Sequence, residues 1–275
     1  MEFVDAAVVA GWVAAAVWVA WLGACVGRAW LAADRPPGAR PTLGVVCKAQ
    51  SVRSRVLVVG LGCAVWFDVA QLAVVDVVED RTGLSTVDPA MTAWFISHRS
   101  TTLTAAAKLA SVAGSTVAMG ALALLSVLWL AWRRCWRQAG TVVMAALGAA
   151  VMVSVMKPVL DRARPSPVHQ LVVETNASLP SGHALGSIVV LGILTVVGFG
   201  VVRRLVIKAA LVAIIAVVIV AVGFSRLYLG VHWPTDVLTG WLLGAAWLSV
   251  CVTALVLLTL RVPAPDLDQV AVGKT

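Results

Sequence analysis

The sequence predicts an all-α, polytopic transmembrane helix bundle, and two observations support this fold class. Of the 275 residues, 61% are hydrophobic and only 12% are charged, whereas soluble domains average roughly 45–50% and 25%. A helix needs about 20 apolar residues to cross a bilayer, because the hydrocarbon holds no water to satisfy the backbone. Seven stretches meet this requirement: 6–27, 56–78, 112–132, 139–157, 184–202, 206–224 and 236–260.

The first stretch, residues 6–27, is predicted to span the membrane, because the basic segment of a cleavable signal peptide is missing before it. The alternative is a six-helix protein whose first segment lies on the membrane surface. We expect residues 1–55 to form this helix and a basic loop. Residues 56–260 then form the main helical core, and residues 261–275 form a short tail.

An additional helix is predicted between the second and third stretches. Asp88 suits an N-cap and Pro89 suits the first helical position, and Trp94 and Phe95 follow at helical spacing from Met91. We expect residues 88–109 to form one helix that lies at the membrane interface rather than crossing. An ordinary packed loop helix is the alternative.

The distribution of Lys and Arg predicts the orientation, because cytoplasmic loops keep an excess of these residues. Of the 21 basic residues, 14 fall on one side: six in segment 28–55, three in each of the turns 133–138 and 203–208, and two in the tail. That side is predicted to be the cytoplasm, in a plasma-membrane protein. The net charge of +8 therefore requires no nucleic-acid partner.

The first motif on the outer side is Lys157-Pro-Val-Leu-Asp-Arg-Ala-Arg164-Pro165. Lys157 and Arg164 are seven residues apart, which is two turns if the segment stays helical, so both cations could project to one side before Pro165 ends the helix. The alternative is that both side chains extend toward lipid headgroups without binding a substrate.

The second motif, Pro180-Ser181-Gly182-His183, leads into the fifth stretch. Ser181 is a plausible N-cap, Gly182 lets an anion approach the backbone, and helix N-terminal amides bind phosphate oxygens. His183 could donate a proton beside a bound oxyanion, since imidazole titrates near neutral pH. A simple helix cap with an interfacial histidine is the alternative.

The third motif is Ser225-Arg226-Leu-Tyr-Leu-Gly-Val-His232-Trp-Pro-Thr-Asp236. Pro234 suits the first helical position, so Asp236 falls in the first turn and can reach back to His232. A carboxylate on one ring nitrogen fixes the tautomer and leaves the other nitrogen free to attack. Arg226 adds a bidentate donor for phosphate oxygens. A structural His–Asp pair is the alternative.

The three motifs occur at three helix ends that the predicted crossings bring to one face of the membrane. Lys-x6-Arg-Pro, Pro-Ser-Gly-His and Ser-Arg-x5-His-x3-Asp resemble the three-part signature of the type 2 phosphatidic acid phosphatase (PAP2) superfamily of integral membrane lipid phosphatases, and all eleven fixed positions match. Residues 56–260 resemble the six-helix core of that family. The extra N-terminal helix is the main departure.

The resemblance implies a metal-independent phosphohydrolase that works through a phosphohistidine intermediate. In this interpretation His232 is the nucleophile, Asp236 orients it, and His183 protonates the departing oxygen. The residues that would hold the phosphoryl oxygens are Lys157, Arg164, Ser181, Gly182 and Arg226.

The predicted substrate is a lipid phosphate or diphosphate that enters from the bilayer, with a polyprenyl diphosphate as the first choice. We expect no cofactor and no metal, because the sequence contains neither a His-x3-His pair nor a cluster of carboxylates. Two alternatives remain open. The same intermediate could transfer its phosphoryl group to an alcohol, or the protein could be a non-catalytic lipid transporter or binding protein.

Four polar residues outside the motifs also lead to expectations. Asp68 lies near the middle of the second stretch, so we expect it to face the bundle interior or a wet cavity. His169, Glu174 and Asn176 lie between the first two motifs, and we expect them to be solvated.

Overall fold

The computed structural model describes residues 43–260, with side chains from residue 50 onward. The predicted helix 6–27 and tail 261–275 lie outside these residues. The described chain forms two compact units, a larger one of residues 64–252 and a smaller one of residues before and after it. All regular structure in the described range is helical, so the all-α prediction is confirmed.

Eight α-helices follow one another in the described chain. They are α1 (Leu43–Glu79), α2 (Asp88–Ser97), α3 (Thr101–Ala113), α4 (Thr116–Trp132), α5 (Trp136–Leu160), α6 (Gly182–Gly198), α7 (Leu205–Tyr228) and α8 (Pro234–Thr259). Short 3-10 turns occupy Gly83–Val87 and Pro167–His169.

Four of these helices are long and apolar enough to cross a membrane: α1 from Gln50, α5, α7 and α8. Helices α3 and α4 meet at a bend of 45° and qualify together as one further span. Helix α6 is apolar but has only 17 residues, and it ends at Gly198 rather than at the predicted residue 202. Several membrane-spanning helices are thus present, as expected of a multi-pass membrane protein.

The predicted single helix over residues 88–109 is wrong, because the chain breaks between α2 and α3. The Ser100 hydroxyl accepts a hydrogen bond from the Leu103 amide at 3.3 Å and so caps α3 as a new helix. Helix α3 then runs on to Ala113, and Ser115 caps α4 by accepting from the Ala118 amide at 3.2 Å. Side-chain capping therefore divides this region where apolar periodicity indicated continuity.

The first motif departs from a continuous helix. Helix α5 ends at Leu160, and Asp161 adopts a left-handed backbone conformation with φ of 32°. The path from Lys157 to Arg164 is therefore not two helical turns. Asp68 is exposed among the described residues, so they do not bury it in the bundle interior, and its place in a wet cavity stays a prediction.

Close packing between α6 and α8 positions the second motif against the third. A Cβ atom on Gly240 of α8 would lie 2.7 Å from the Ser181 carbonyl oxygen and 3.0 Å from the Ala184 Cβ. A glycine at this position thus lets the start of α6 rest directly on α8. Buried Ala184, Leu227 and Val237 form the adjoining core, which joins α6, α7 and α8 below the site.

Candidate active site

His232 and Asp236 form a buried pair where the chain enters α8. The Asp236 side chain accepts a hydrogen bond from the Trp233 amide at 2.8 Å through Oδ2, so it reaches back as predicted. The same oxygen lies 3.4 Å from His232 Nδ1. His232 is 2% exposed and Asp236 is fully buried, so neither side chain can turn toward solvent without local opening.

The other ring nitrogen of His232 faces a cation. Nη1 of Arg164 lies 3.3 Å from His232 Nε2. A guanidinium carries only donors, so Nε2 accepts with its lone pair and the ring proton resides on Nδ1, facing Asp236. Burial, reinforced by Arg164 and Arg226, lowers the pKa of His232 to about 4 although Asp236 opposes the shift. The imidazole is therefore neutral at physiological pH.

The two cations of the first motif converge although the segment between them is not helical. Lys157 Nζ donates to Asn176 Oδ1 at 3.1 Å and to the Ala177 carbonyl. Arg164 Nε donates to the Asn176 carbonyl at 2.7 Å, and its Nη1 donates to the Val231 carbonyl. One short loop segment thus gathers both cations beside His232.

The second motif presents a hydroxyl without a partner. Ser181 occupies the predicted N-cap position before α6, but its side chain makes no capping hydrogen bond. The Ser181 amide donates to the Asp236 carbonyl at 3.0 Å. Among the described residues, the fully buried Ser181 Oγ has no hydrogen-bond partner. Gly182 and His183 follow as the first two residues of α6, so the hydroxyl and His183 lie at the same helix end.

Arg226 supplies the third cation from the end of α7. The residue is 2% exposed, and its Nη1 and Nη2 donate to the Ser111 hydroxyl and to the Glu174 carboxylate, respectively. Its buried Nε finds no hydrogen-bond partner within the part of the chain that the structure describes. Lys157, Arg164 and Arg226 are hereafter called the cation cluster. Its positive charge and the unused donors of Ser181 and Arg226 suit a tetrahedral oxyanion.

The expectation that Glu174 is solvated is wrong, because its carboxylate is partly buried, whereas Asn176 and His169 are exposed as expected. The Glu174 carboxylate pairs with Arg226 and lies 3.9 Å from Arg164 Nη2. Burial alone would raise the pKa of Glu174, but Arg226 and Arg164 hold it below its usual value. The backbone carbonyl of His169 accepts a hydrogen bond from Arg99 Nη2 at 2.8 Å. Residues in a loop follow no helical or strand spacing, so the sequence pattern could not reveal these contacts.

Sequence reasoning also missed a set of polar residues around Asp236. The Ser178 hydroxyl donates to Asp236 Oδ2, and Arg162 donates to Asp236 Oδ1 at 2.6 Å. Arg162 also reaches Asp88 at 2.7 Å. The proximity of Arg162 to Arg164 in the sequence was a weak signal. Nothing in the sequence pattern indicated Asp88, because a large part of the chain separates it from the third motif.

The fold is similar to a solved membrane protein. The crystal structure of a transmembrane PAP2 type phosphatidylglycerolphosphate phosphatase from Bacillus subtilis matches with a TM-score of 0.59 and 24% identity, covering 68% of this chain and 93% of that one. This likeness shows the fold.

Sequence comparisons match this chain to one protein family and to curated relatives. Residues 138–259 match the PAP2 superfamily. An undecaprenyl-diphosphatase of Sulfolobus acidocaldarius is 35% identical over 131 residues, which are 46% of this chain and 58% of that protein. A phosphatidylglycerophosphatase B of Bacillus subtilis is 39% identical over 94 residues, which are 33% and 44% of the two chains. The matches thus span about half the length of these curated relatives.

These comparisons confirm the resemblance that the three motifs indicated. Residues 138–259, the region that carries the three motifs, are similar to the PAP2 superfamily.

Proposed function

We propose that this protein is a membrane lipid phosphatase that cleaves a phosphate or diphosphate ester through a phosphohistidine intermediate. The observation that carries the proposal is the environment of His232. Its Nδ1 faces Asp236 at 3.4 Å, and its neutral Nε2 faces Arg164 at 3.3 Å. A nucleophilic lone pair beside positive charge suits attack on phosphorus, because the cations attract the phosphoryl group to the nitrogen.

In the first step, His232 Nε2 forms a bond to phosphorus while the bond from phosphorus to the lipid oxygen breaks. Protonated His183 gives its proton to the departing oxygen, and Asp236 stabilises the positive charge that develops on the His232 ring. In the unliganded protein, burial, Arg226 and His232 lower the pKa of His183 to about 3. This role therefore requires the negative charge of the bound phosphate to raise that pKa, because a nearby opposite charge favours the protonated imidazole. The products are the free lipid alcohol, or lipid monophosphate, and phosphohistidine.

In the second step, water attacks the phosphorus of the intermediate. His183, now neutral, takes a proton from that water, the bond between phosphorus and Nε2 breaks, and inorganic phosphate leaves. Both histidines are then restored to their starting states. Lys157, Arg164 and Arg226 stabilise the charge on the three equatorial oxygens in both steps, and Ser181 with the Gly182 backbone completes the phosphate site. The steps proposed here require no metal.

We propose a polyprenyl diphosphate as the first substrate, followed by phosphatidylglycerol phosphate. The similarity to an undecaprenyl-diphosphatase and to a phosphatidylglycerophosphatase B supports these two choices. The site offers a cluster of cations for the phosphate, and the apolar helices around it provide a surface for lipid chains. The substrate then enters laterally from the bilayer. The asymmetry of Lys and Arg supports a site on the extracytoplasmic face of the plasma membrane.

The proposal is tested by measuring release of inorganic phosphate from a panel of purified lipid phosphates and diphosphates, with and without EDTA. We expect release that persists in EDTA and is abolished in His232→Ala. His98→Ala is the matched control, because His98 is exposed and stacks on Trp94 in α2, and it keeps full activity.

Two results would overturn the mechanism. Equal phosphate release by His232→Ala and the parent protein would exclude the phosphohistidine. Loss of activity in EDTA with recovery on added zinc would establish metal catalysis instead. Acid-labile radiolabel from a labelled phosphate ester, retained on the parent protein and absent from His232→Ala, would identify the intermediate directly.

A further inference from the structure

Arg162 stands two residues before the last cation of the first motif, yet it does not join the cation cluster. Its Nη1 donates to Asp236 Oδ1 at 2.6 Å and to Thr235 Oγ1 at 2.7 Å. Its Nη2 donates to Asp88 Oδ2 at 2.7 Å. Both terminal nitrogens are thus engaged with the start of α8 and with α2, so Arg162 binds the two carboxylates on either side of it.

Asp88 completes the arrangement from the first residue of α2. It is 2% exposed and accepts from the Thr235 amide at 3.1 Å and from the Thr235 hydroxyl at 2.6 Å. Thr235 is the second residue of α8, where the helix leaves backbone amides without internal partners. Asp88 therefore caps α8 from a distant part of the chain and balances the guanidinium of Arg162.

Asp236 is held at both oxygens as a result. Oδ1 accepts from Arg162, whereas Oδ2 accepts from the Trp233 amide and the Ser178 hydroxyl and faces His232 Nδ1. A carboxylate fixed at one oxygen cannot rotate about its terminal bond. Arg162 therefore helps the Trp233 amide and the Ser178 hydroxyl to direct the other oxygen toward the imidazole, and Asp88 holds Arg162 in place.

We propose that Arg162 and Asp88 are positioning residues for the nucleophile His232, acting through Asp236. The inference rests on the proposed phosphatase activity, which supplies the reaction that they would assist. It gives α2 a role in catalysis that none of the three motifs indicates. Substitution of either residue lowers the turnover number, because Asp236 no longer holds the imidazole in the attacking geometry, while the phosphate site remains intact.

The decisive measurement separates turnover from phosphate binding. In Arg162→Ala we expect kcat to fall about 100-fold, a loss typical of small misplacements of reacting groups, while KM and the inhibition constant of vanadate stay within about threefold. The value of kcat is expressed per vanadate-binding site, so that unfolded protein does not contribute. Arg164→Ala provides the contrast, because loss of a phosphate-binding cation raises KM and weakens vanadate inhibition.

Four further variants complete the test. Arg162→Lys keeps the charge but not the planar fork, so it loses kcat about tenfold and carries the test if Arg162→Ala does not fold. Asp88→Asn shows the same pattern. The kcat of the double variant with Arg162→Lys is at most about threefold below that of the less active single variant, because both residues act through Asp236. Arg203→Ala is the matched control, since this exposed arginine lies between α6 and α7.

The possible results point to different conclusions. A parent protein that releases phosphate while the Arg162 variants keep full kcat per site overturns the positioning role and leaves the proposed function intact. Weakened vanadate binding with unchanged kcat makes Arg162 a phosphate ligand and also overturns it. A parent protein that hydrolyses no lipid phosphate overturns the proposed function and, with it, this inference.

Discussion

Glu174 and Arg226 form an ion pair inside the cation cluster of the candidate active site. The carboxylate accepts a hydrogen bond from Arg226 and lies 3.9 Å from Arg164 Nη2. The oxygens of a bound phosphate would contact the same two guanidinium groups. In the proposed function, this internal carboxylate and the substrate anion therefore compete for the same positive charge.

Removal of this internal competitor should strengthen anion binding. In Glu174→Gln we expect the inhibition constant of vanadate to fall roughly three- to tenfold, because the neutral amide no longer compensates Arg226. Inhibition of phosphate release by vanadate measures the change. Asp161→Asn is the control, since this exposed carboxylate lies in the same loop. A weaker inhibition by vanadate in Glu174→Gln would contradict the competition.

Replacing Ser181, whose hydroxyl is unpartnered among the described residues, should weaken anion binding without lowering thermal stability. Ser181→Ala removes a buried group that makes no hydrogen bond in the structure, so the Tm in detergent should not fall. A hydrogen bond to a phosphate oxygen contributes about 0.5–1.5 kcal/mol, so vanadate inhibition should weaken roughly three- to tenfold. Ser187→Ala is the control, because its buried hydroxyl bonds to the Ala184 carbonyl within α6. A lower Tm with unchanged inhibition would show that Ser181 is structural.

The pH dependence should reflect the two histidines separately. Because the pKa of His232 is lowered from 6.5 to about 4, the nucleophile is uncharged above that value, and acid inactivates it only as the pH approaches 4. The decline on the alkaline side reports loss of the proton from His183 in the enzyme–substrate complex, where the bound phosphate must raise its pKa above the unliganded value of about 3, so kcat is bell-shaped. A rate that is flat between about pH 5 and pH 9 would argue against these roles.

A charge variant tests the assignment of the acid limb. Arg164 lowers the pKa of His232, so Arg164→Gln should move the acid limb to higher pH in addition to weakening phosphate binding. The measurement is kcat/KM across pH, expressed as the ratio of variant to parent so that ionisation of the substrate cancels. A shift of the limb to lower pH would show that another group controls it.

The contact between Gly240 and the start of α6 should be sensitive to added volume. The new Cβ in Gly240→Ala would lie 2.7 Å from the Ser181 carbonyl oxygen, a backbone atom that can move only with the turn. Overpacking of this kind costs about 1–3 kcal/mol, so we expect a lower Tm and reduced turnover. Gly186→Ala is the control, because its Cβ would meet nothing within 4 Å. Equal stability of the two variants would show that the interface is loosely packed.

Local patterns in the sequence predicted most of the helices and the residues of the candidate site. Runs of apolar residues located α5, α7 and α8, and Pro234 predicted both the start of α8 and the reach of Asp236 back toward His232. These features depend on neighbours a few residues away, so they can be inferred without knowledge of the fold. The break at Ser100 was missed because a single capping hydroxyl outweighed the apolar pattern around it.

Only the tertiary structure decided which polar groups meet around His232. Asp88 and Thr235 are 147 residues apart, and Glu174 and Arg226 are 52 residues apart, so no periodic pattern connects them. Such contacts arise where helices pack, because a buried charge must find a partner wherever the fold provides one. The sequence by itself thus determined the class of protein and its candidate chemical groups, whereas packing decided that Arg162 binds Asp236 and that Glu174 neutralises Arg226.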